Sequence, residues 1–152
     1  MQETFIVSSA SATSLLLVIL YLAYMGPNRL YKQELEIVSA TLKKTVRETV
    51  RHDRGNVEAW LLIINMVRNI PTSSADFTIS YLIVKLENDL IYKRDKKDIY
   101  HYKYTLSKTL RLVKELRLAF ELDISKNPNI SRIAIPKSVV IKMIKSAIKE
   151  SS

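Results

Sequence analysis

Residues 5–25, FIVSSASATSLLLVILYLAYM, run for 21 positions without a charged side chain. A helix rising about 1.5 Å per residue would carry that run across roughly the ~30 Å hydrocarbon core of a bilayer. The stretch therefore predicts a single N-terminal transmembrane helix, and it divides the chain in two. Glu3 is the only charged side chain before it, and all 24 Lys and Arg lie after it. Two other readings compete. A cleaved signal peptide needs a basic leader and a small-x-small site beyond the apolar run. Here residues 2–4 are Gln-Glu-Thr, and the triplet Ala10-Ser11-Ala12 precedes the Leu-rich part. A buried core helix is the second, because Ser8, Ser9, Ser11, Thr13 and Ser14 leave only residues 15–25 strongly apolar.

Within the anchor, Ser8, Ser11 and Ala12 make a candidate face for a second helix in the membrane, since small side chains let two backbones approach closely. That face would serve a protein partner or a second copy of the chain; the plain alternative is that small residues merely tolerate lipid. Tyr21 and Tyr24 near the end of the run, followed by Gly26-Pro27, mark an interface and a helix stop. Arg29, Lys32, Lys43, Lys44 and Arg47 come next, so the positive-inside tendency predicts the N-terminus outside and residue 28 onward in the cytoplasm or its equivalent.

Residues 28–152 suffice for one small domain. They hold 24 basic against 14 acidic residues, a net charge of +10. A basic domain beside a bilayer has three kinds of partner: anionic headgroups, nucleic acid and acidic protein surfaces. An ordinary lysine-rich, solvated surface explains the same charge. The chain has no cysteine, which excludes disulfides and thiolate chemistry. Its two glycines, Gly26 and Gly55, leave no room for glycine-rich phosphate loops and disfavour a hairpin-rich β fold.

Hydrophobic periodicity predicts an all-α domain of about four to five helices. Tyr31, Leu35, Val38, Leu42, Val46 and Val50 form one face of a first helix over 29–52, with Lys32, Glu36, Lys43, Arg47 and Arg51 on the wet side. Gly55 reads as its stop and Asn56 as the cap of the next helix. That helix, 57–69, is apolar on nearly every side and reads as the buried centre, with Trp60 as its anchor. Ser73 and Asp76 resemble a capping box opening a third helix, whose stripe runs from Phe77 to Ile91. The charged run 93–98 reads as a turn or as the solvated middle of one long helix, and Ile99 to Phe120 continue at helical spacing. Helices three and four then form a hairpin. Asn127-Pro128-Asn129 is a break. The alternation over 130–135 is too brief to assign as a strand, which would have no partner elsewhere in the chain. Pro136 fits the first position of a last, basic amphipathic helix, with Val140, Met143, Ile144, Ala147 and Ile148 opposite Lys142, Lys145 and Lys149. The predicted organisation is 1–27 tail and anchor, 28–126 helical domain, and 127–152 linker and basic helix. The last helix is too short to stand alone in water and has three surfaces to dock on: its own bundle, an anionic membrane or a partner. Its basic face suits the membrane, but it has no Trp or Phe for interfacial insertion, so its own bundle or a partner is expected, with its lysines in water.

Chemistry-bearing motifs are few. Asn56-Val57-Glu58-Ala59-Trp60 resembles the opening of a tetratricopeptide repeat, but aligned on Trp60 the motif's small position falls on Ile64 and its Tyr on Val67. His52 and His101 lack a second ligand or triad partner at suitable spacing, and no metal or cofactor is expected. Glu34 and Glu36, like Glu87 and Asp89, are two residues apart and project to different sides of a helix, so they make no acid–base pair. The most distinctive candidate is the segment 92–104, in which Lys93, Arg94, Lys96, Lys97 and Lys103 interleave with tyrosines including Tyr100 and Tyr104. This combination suits binding to an anionic surface, by phosphate attraction with base stacking or by headgroup contact. Its Asp95 and Asp98 oppose that, and a solvated hairpin tip is the plain alternative. The sequence thus points to a non-enzymatic single-pass membrane protein, a structural subunit or adaptor with protein partners. A membrane-tethered nucleic-acid-binding module is the other expectation.

Overall fold

The computed structural model describes Leu16 and residues 31–71, 76–96 and 100–151. The transmembrane expectation over 5–25, and with it the face of Ser8, Ser11 and Ala12, lies outside the described residues except for Leu16, which is helical and exposed. Among the described residues no helix is long and apolar enough to cross a membrane. The chain divides into two compact units, Met1–Gln33 and Glu34–Ser152. The second unit holds the helical domain.

Among the described residues the fold is all-α. Helix α1 covers 31–52, α2 Asn56–Arg68, α3 Ile79–Asp95, α4 Tyr100–Lys126 and α5 Lys137–Glu150. A 3-10 turn at Pro128–Arg132 joins α4 to α5. Val38, Leu42, Val46 and Val50 of α1 are buried, as their four-residue spacing predicts. Helix α2 packs against α3, α4 and α5, and Trp60 is fully buried. Helix α2, read as apolar on nearly every side, keeps one outer stripe, where Leu61 is half exposed beside Glu58, Asn65 and Arg68. These positions are three or four apart, so they fall on one side of the helix. Helices α3 and α4 pack as a hairpin, tied by a 2.9 Å bond from Arg117 to Glu87. Asp89, two residues on, pairs instead with Lys85 at 3.3 Å. Helix α3 ends at Asp95 and Lys96 is extended, so the charged run interrupts the helix and is not the middle of a single long one.

Local boundaries differ from expectation in four places, each for a physical reason. Helix α3 starts at Ile79, where the Thr78 hydroxyl accepts from the Tyr81 N–H at 3.2 Å, so Thr78 and not Ser73 caps it. Asp76–Phe77 pairs antiparallel with Ile135–Pro136, which gives the short C-terminal extended segment the partner that the sequence did not reveal. Pro136, with ψ of 137°, is extended and precedes α5, so it stands at the cap and not inside the first turn. Gly55 is no left-handed stop: its φ of −62° and ψ of −17° are right-handed, and it precedes α2 while Asn56 is already helical. A Cβ there would lie 2.7 Å from the Lys108 ammonium, the movable end of a flexible side chain, so a larger residue asks only for a small shift of Lys108.

Helix α5 lies on α2 with Val140, Met143, Ile144 and Ala147 buried and Lys142, Lys145 and Lys149 on the open side. It is fastened near both ends. The Lys137 ammonium donates to the Arg68 and Ile70 carbonyls at 2.8 and 3.2 Å, where the end of α2 presents unpaired acceptors and the negative end of its dipole. At the other end Glu150 pairs with Arg47 of α1 at 3.2 Å. The C-terminal segment from residue 127 therefore folds as part of the same unit as α2 to α4.

Candidate functional site

Among the described residues two concavities of the bundle stand out, and they differ in charge. The first, of about 400 Å³, lies between α1 and α4 and is walled by Glu48, His52, Asp53, Lys108, Arg111 and Glu115. Beneath it runs a ladder of threonines on α1. Thr41, Thr45 and Thr49 are four residues apart, hence on one face. The Thr41 hydroxyl donates to the Asp123 carboxylate of α4. Thr45 donates back to the Thr41 carbonyl at 2.9 Å. Buried Thr49 donates to the Thr45 carbonyl at 2.8 Å and accepts from the Trp60 indole N–H, also at 2.8 Å. Asn56 completes the set, its amide donating to the Thr49 carbonyl at 2.8 Å. A buried indole N–H needs such an acceptor.

At the mouth of this cleft Asp53 accepts from Lys108 at 2.6 Å and from the Gly55 N–H at 2.9 Å. The hydrogen bond from Lys108, and then that from Gly55, hold the Asp53 carboxyl below its ordinary value. The same bond raises Lys108. The cleft's charges thus largely answer one another. Among the described residues no group of His, Asp and Glu is placed to hold a metal, and His52 is exposed.

The second concavity, an open groove of about 560 Å³, lies where Arg68 of α2 meets Ser138, Ile141, Lys142, Lys145 and Lys149 of α5. None of its four cations forms a salt bridge among the described residues. No carboxylate among the described residues lines it. Ser146, also at the groove, bonds to Glu150, whose other oxygen is held by Arg47.

The segment singled out in the sequence is partly placed. Lys93, Arg94 and Lys96 are exposed at the end of α3. Lys97 lies outside the described residues, as do the side chains of Tyr100, His101 and Tyr102. Lys103 and Tyr104 are exposed on the first turns of α4. The rings of Tyr92 and Tyr104 already have internal cations over them, Lys96 at 4.5 Å and Lys108 at 5.4 Å, and Arg94 approaches Asp95 at 3.5 Å. These contacts engage part of what an external anion or base would use. Sequence reasoning missed the threonine ladder, although its four-residue spacing was visible, and it missed Arg68, which no local pattern joins to α5.

Comparison with protein-family models, with curated proteins and with solved structures finds no match.

Proposed function

We propose that the chain is a non-enzymatic, single-pass membrane protein whose helical domain serves as a structural subunit or adaptor in a membrane-associated assembly. Residues 5–25 would anchor it with the N-terminus outside, and Ser8, Ser11 and Ala12 offer a helix-packing face in the membrane. The observation that carries the reading is apolar surface left over after the core is complete. On the α3–α4 hairpin Tyr81, Val84 and Ile91 are 48, 56 and 38% exposed, and Leu118 and Leu122 are 64 and 58% exposed. Their spacings, three and seven on α3 and four on α4, are those of a strip along each helix. Exposed apolar strips of this kind favour association. An amphipathic partner helix, with apolar side chains at the same three- and four-residue steps, is the complement.

The test is purification of the full-length protein in mild detergent, with its mass and stoichiometry measured, beside a Leu118→Lys/Leu122→Lys variant. The wild type is expected in a defined complex, and the variant, melting at the same temperature, alone. A lone wild-type monomer would sink the reading. Retention on DNA with a steep log-log dependence on salt would favour the nucleic-acid module instead.

A further inference from the structure

We propose that the groove between α2 and α5 is a docking surface for an anionic lipid bilayer, with Arg68, Lys142, Lys145 and Lys149 contacting headgroup phosphates and carboxylates. The nearness of the membrane rests on the anchor proposed for residues 5–25. The chemistry of the groove comes from the fold itself.

Lys142, Lys145 and Lys149 stand at three- and four-residue steps along about 10 Å of helix, so their ammonium groups share one side of α5. That side is held outward because the opposite one is buried on α2 and because Lys137 and Glu150 fasten the helix near its two ends. Arg68 reaches the same groove from α2. Four cations with no salt bridge among the described residues, and with no lining carboxylate among them, set up a local positive potential that attracts anions.

The nature of the occupant is set by what else lines the groove. Ser138 supplies a hydroxyl and Ile141 an apolar contact, while the Ser146 hydroxyl is engaged by Glu150. No aromatic side chain among the described residues is there to stack a base, which disfavours single-stranded nucleic acid. A groove this open encloses no small molecule, yet it suits a charged plane. Each Lys or Arg near an anionic membrane strengthens the attraction about five-fold, so three lysines together are worth roughly a hundred-fold. A chain anchored in the same bilayer meets that plane at high effective concentration, which makes weak single contacts sufficient.

The chain has no cysteine, so Asn69→Cys, exposed beside Arg68 and outside the groove lining, provides a unique labelling site close to the groove. The full-length labelled protein is placed in nanodiscs of phosphatidylcholine alone, or of phosphatidylcholine with phosphatidylserine, each containing a headgroup-linked quencher. Quenching is expected in the anionic discs, is expected to fade with added salt, and is expected to fall by roughly a hundred-fold in apparent association in a Lys142→Gln/Lys145→Gln/Lys149→Gln variant. Thermal melting checks that this variant is folded, and Arg68→Gln serves as a second, independent variant. Equal quenching in neutral and anionic discs, or quenching that survives the triple substitution, overturns the proposal. So does duplex DNA retention that depends on these lysines without any response to phosphatidylserine. An alkaline wash reports on the anchor separately. If the chain washes off neutral discs the anchor reading fails, and the groove is then judged by co-flotation with phosphatidylserine vesicles. Binding lost in the triple variant supports the groove, and no binding by the wild type overturns it.

Discussion

The α1–α4 cleft and the α2–α5 groove both gather cations, yet one is close to balanced in charge and the other is wholly cationic. In the cleft Lys108 meets Asp53 at 2.6 Å, and Glu48 and Glu115 stand among the remaining charges. In the groove four cations stand without a carboxylate among the described residues. The electrical difference lies in Glu48, Asp53 and Glu115, for which the groove has no counterpart among the described residues, and the two sites differ in their floors as well. Thr49, Asn56 and Trp60 fix the cleft to the core of the bundle, whereas the groove rests on the outer face of a helix whose buried strip lies on the other side. Charges that answer one another inside the domain hold it together. Charges left over are available to something else.

The harshest way to break that contrast is Trp60→Ala. It empties a fully buried site and leaves Thr49 without its indole donor. A loss of about 3–5 kcal/mol is expected by chemical denaturation. An unchanged midpoint would show that the floor of the cleft does not carry the fold.

Thr49→Val is smaller and sharper. It keeps the shape and removes the acceptor of the Trp60 N–H, so about 1–3 kcal/mol is expected, the cost of an orphaned buried donor. If Thr49→Val melts like the wild type, the ladder is ornament.

The mildest comparison is made with pH. Asp53 is held below its ordinary value of 3.8, so its contribution is present above that value and is lost as pH falls through the lowered one. Lys108 is raised above its ordinary 10.5, so its contribution is present below that value and is lost as pH rises through the raised one. A plateau between these limits with a modest decline at each end is expected in thermal melts, weakened by salt because the pair lies at the surface. The Asp53→Asn variant should show both declines reduced, while Lys145→Gln in the groove should leave the profile as it was.

What the sequence made legible was whatever repeats at helical spacing. The strips of α1 and α5, the fully buried Trp60 and the break at Pro128 can be read from local pattern alone. Boundaries were harder, because Ser73, Gly55 and Pro136 each offered a plausible capping or stop role one or several positions away from where the helices begin and end. The pairing of Phe77 with Ile135 joins residues distant in sequence, and no single segment announces it. The threonine ladder was overlooked because polar residues on a helix read as solvated until a neighbour such as Asp123 or Trp60 is known. The groove was half legible. Its lysines stood out, and Arg68 did not.

The fastenings of α5 also carry a consequence in time. Lys137 reaches across 69 positions to Arg68, and Glu150 across 103 to Arg47, whereas the α3–α4 hairpin closes over a short connection. Contacts that close long loops cost more entropy and tend to form after local ones. On that ordering the hairpin is expected to form early and α5 to seat late, and the four cations share one groove only once α5 lies on α2. The charged groove is a certificate of completion: only a finished domain can present it.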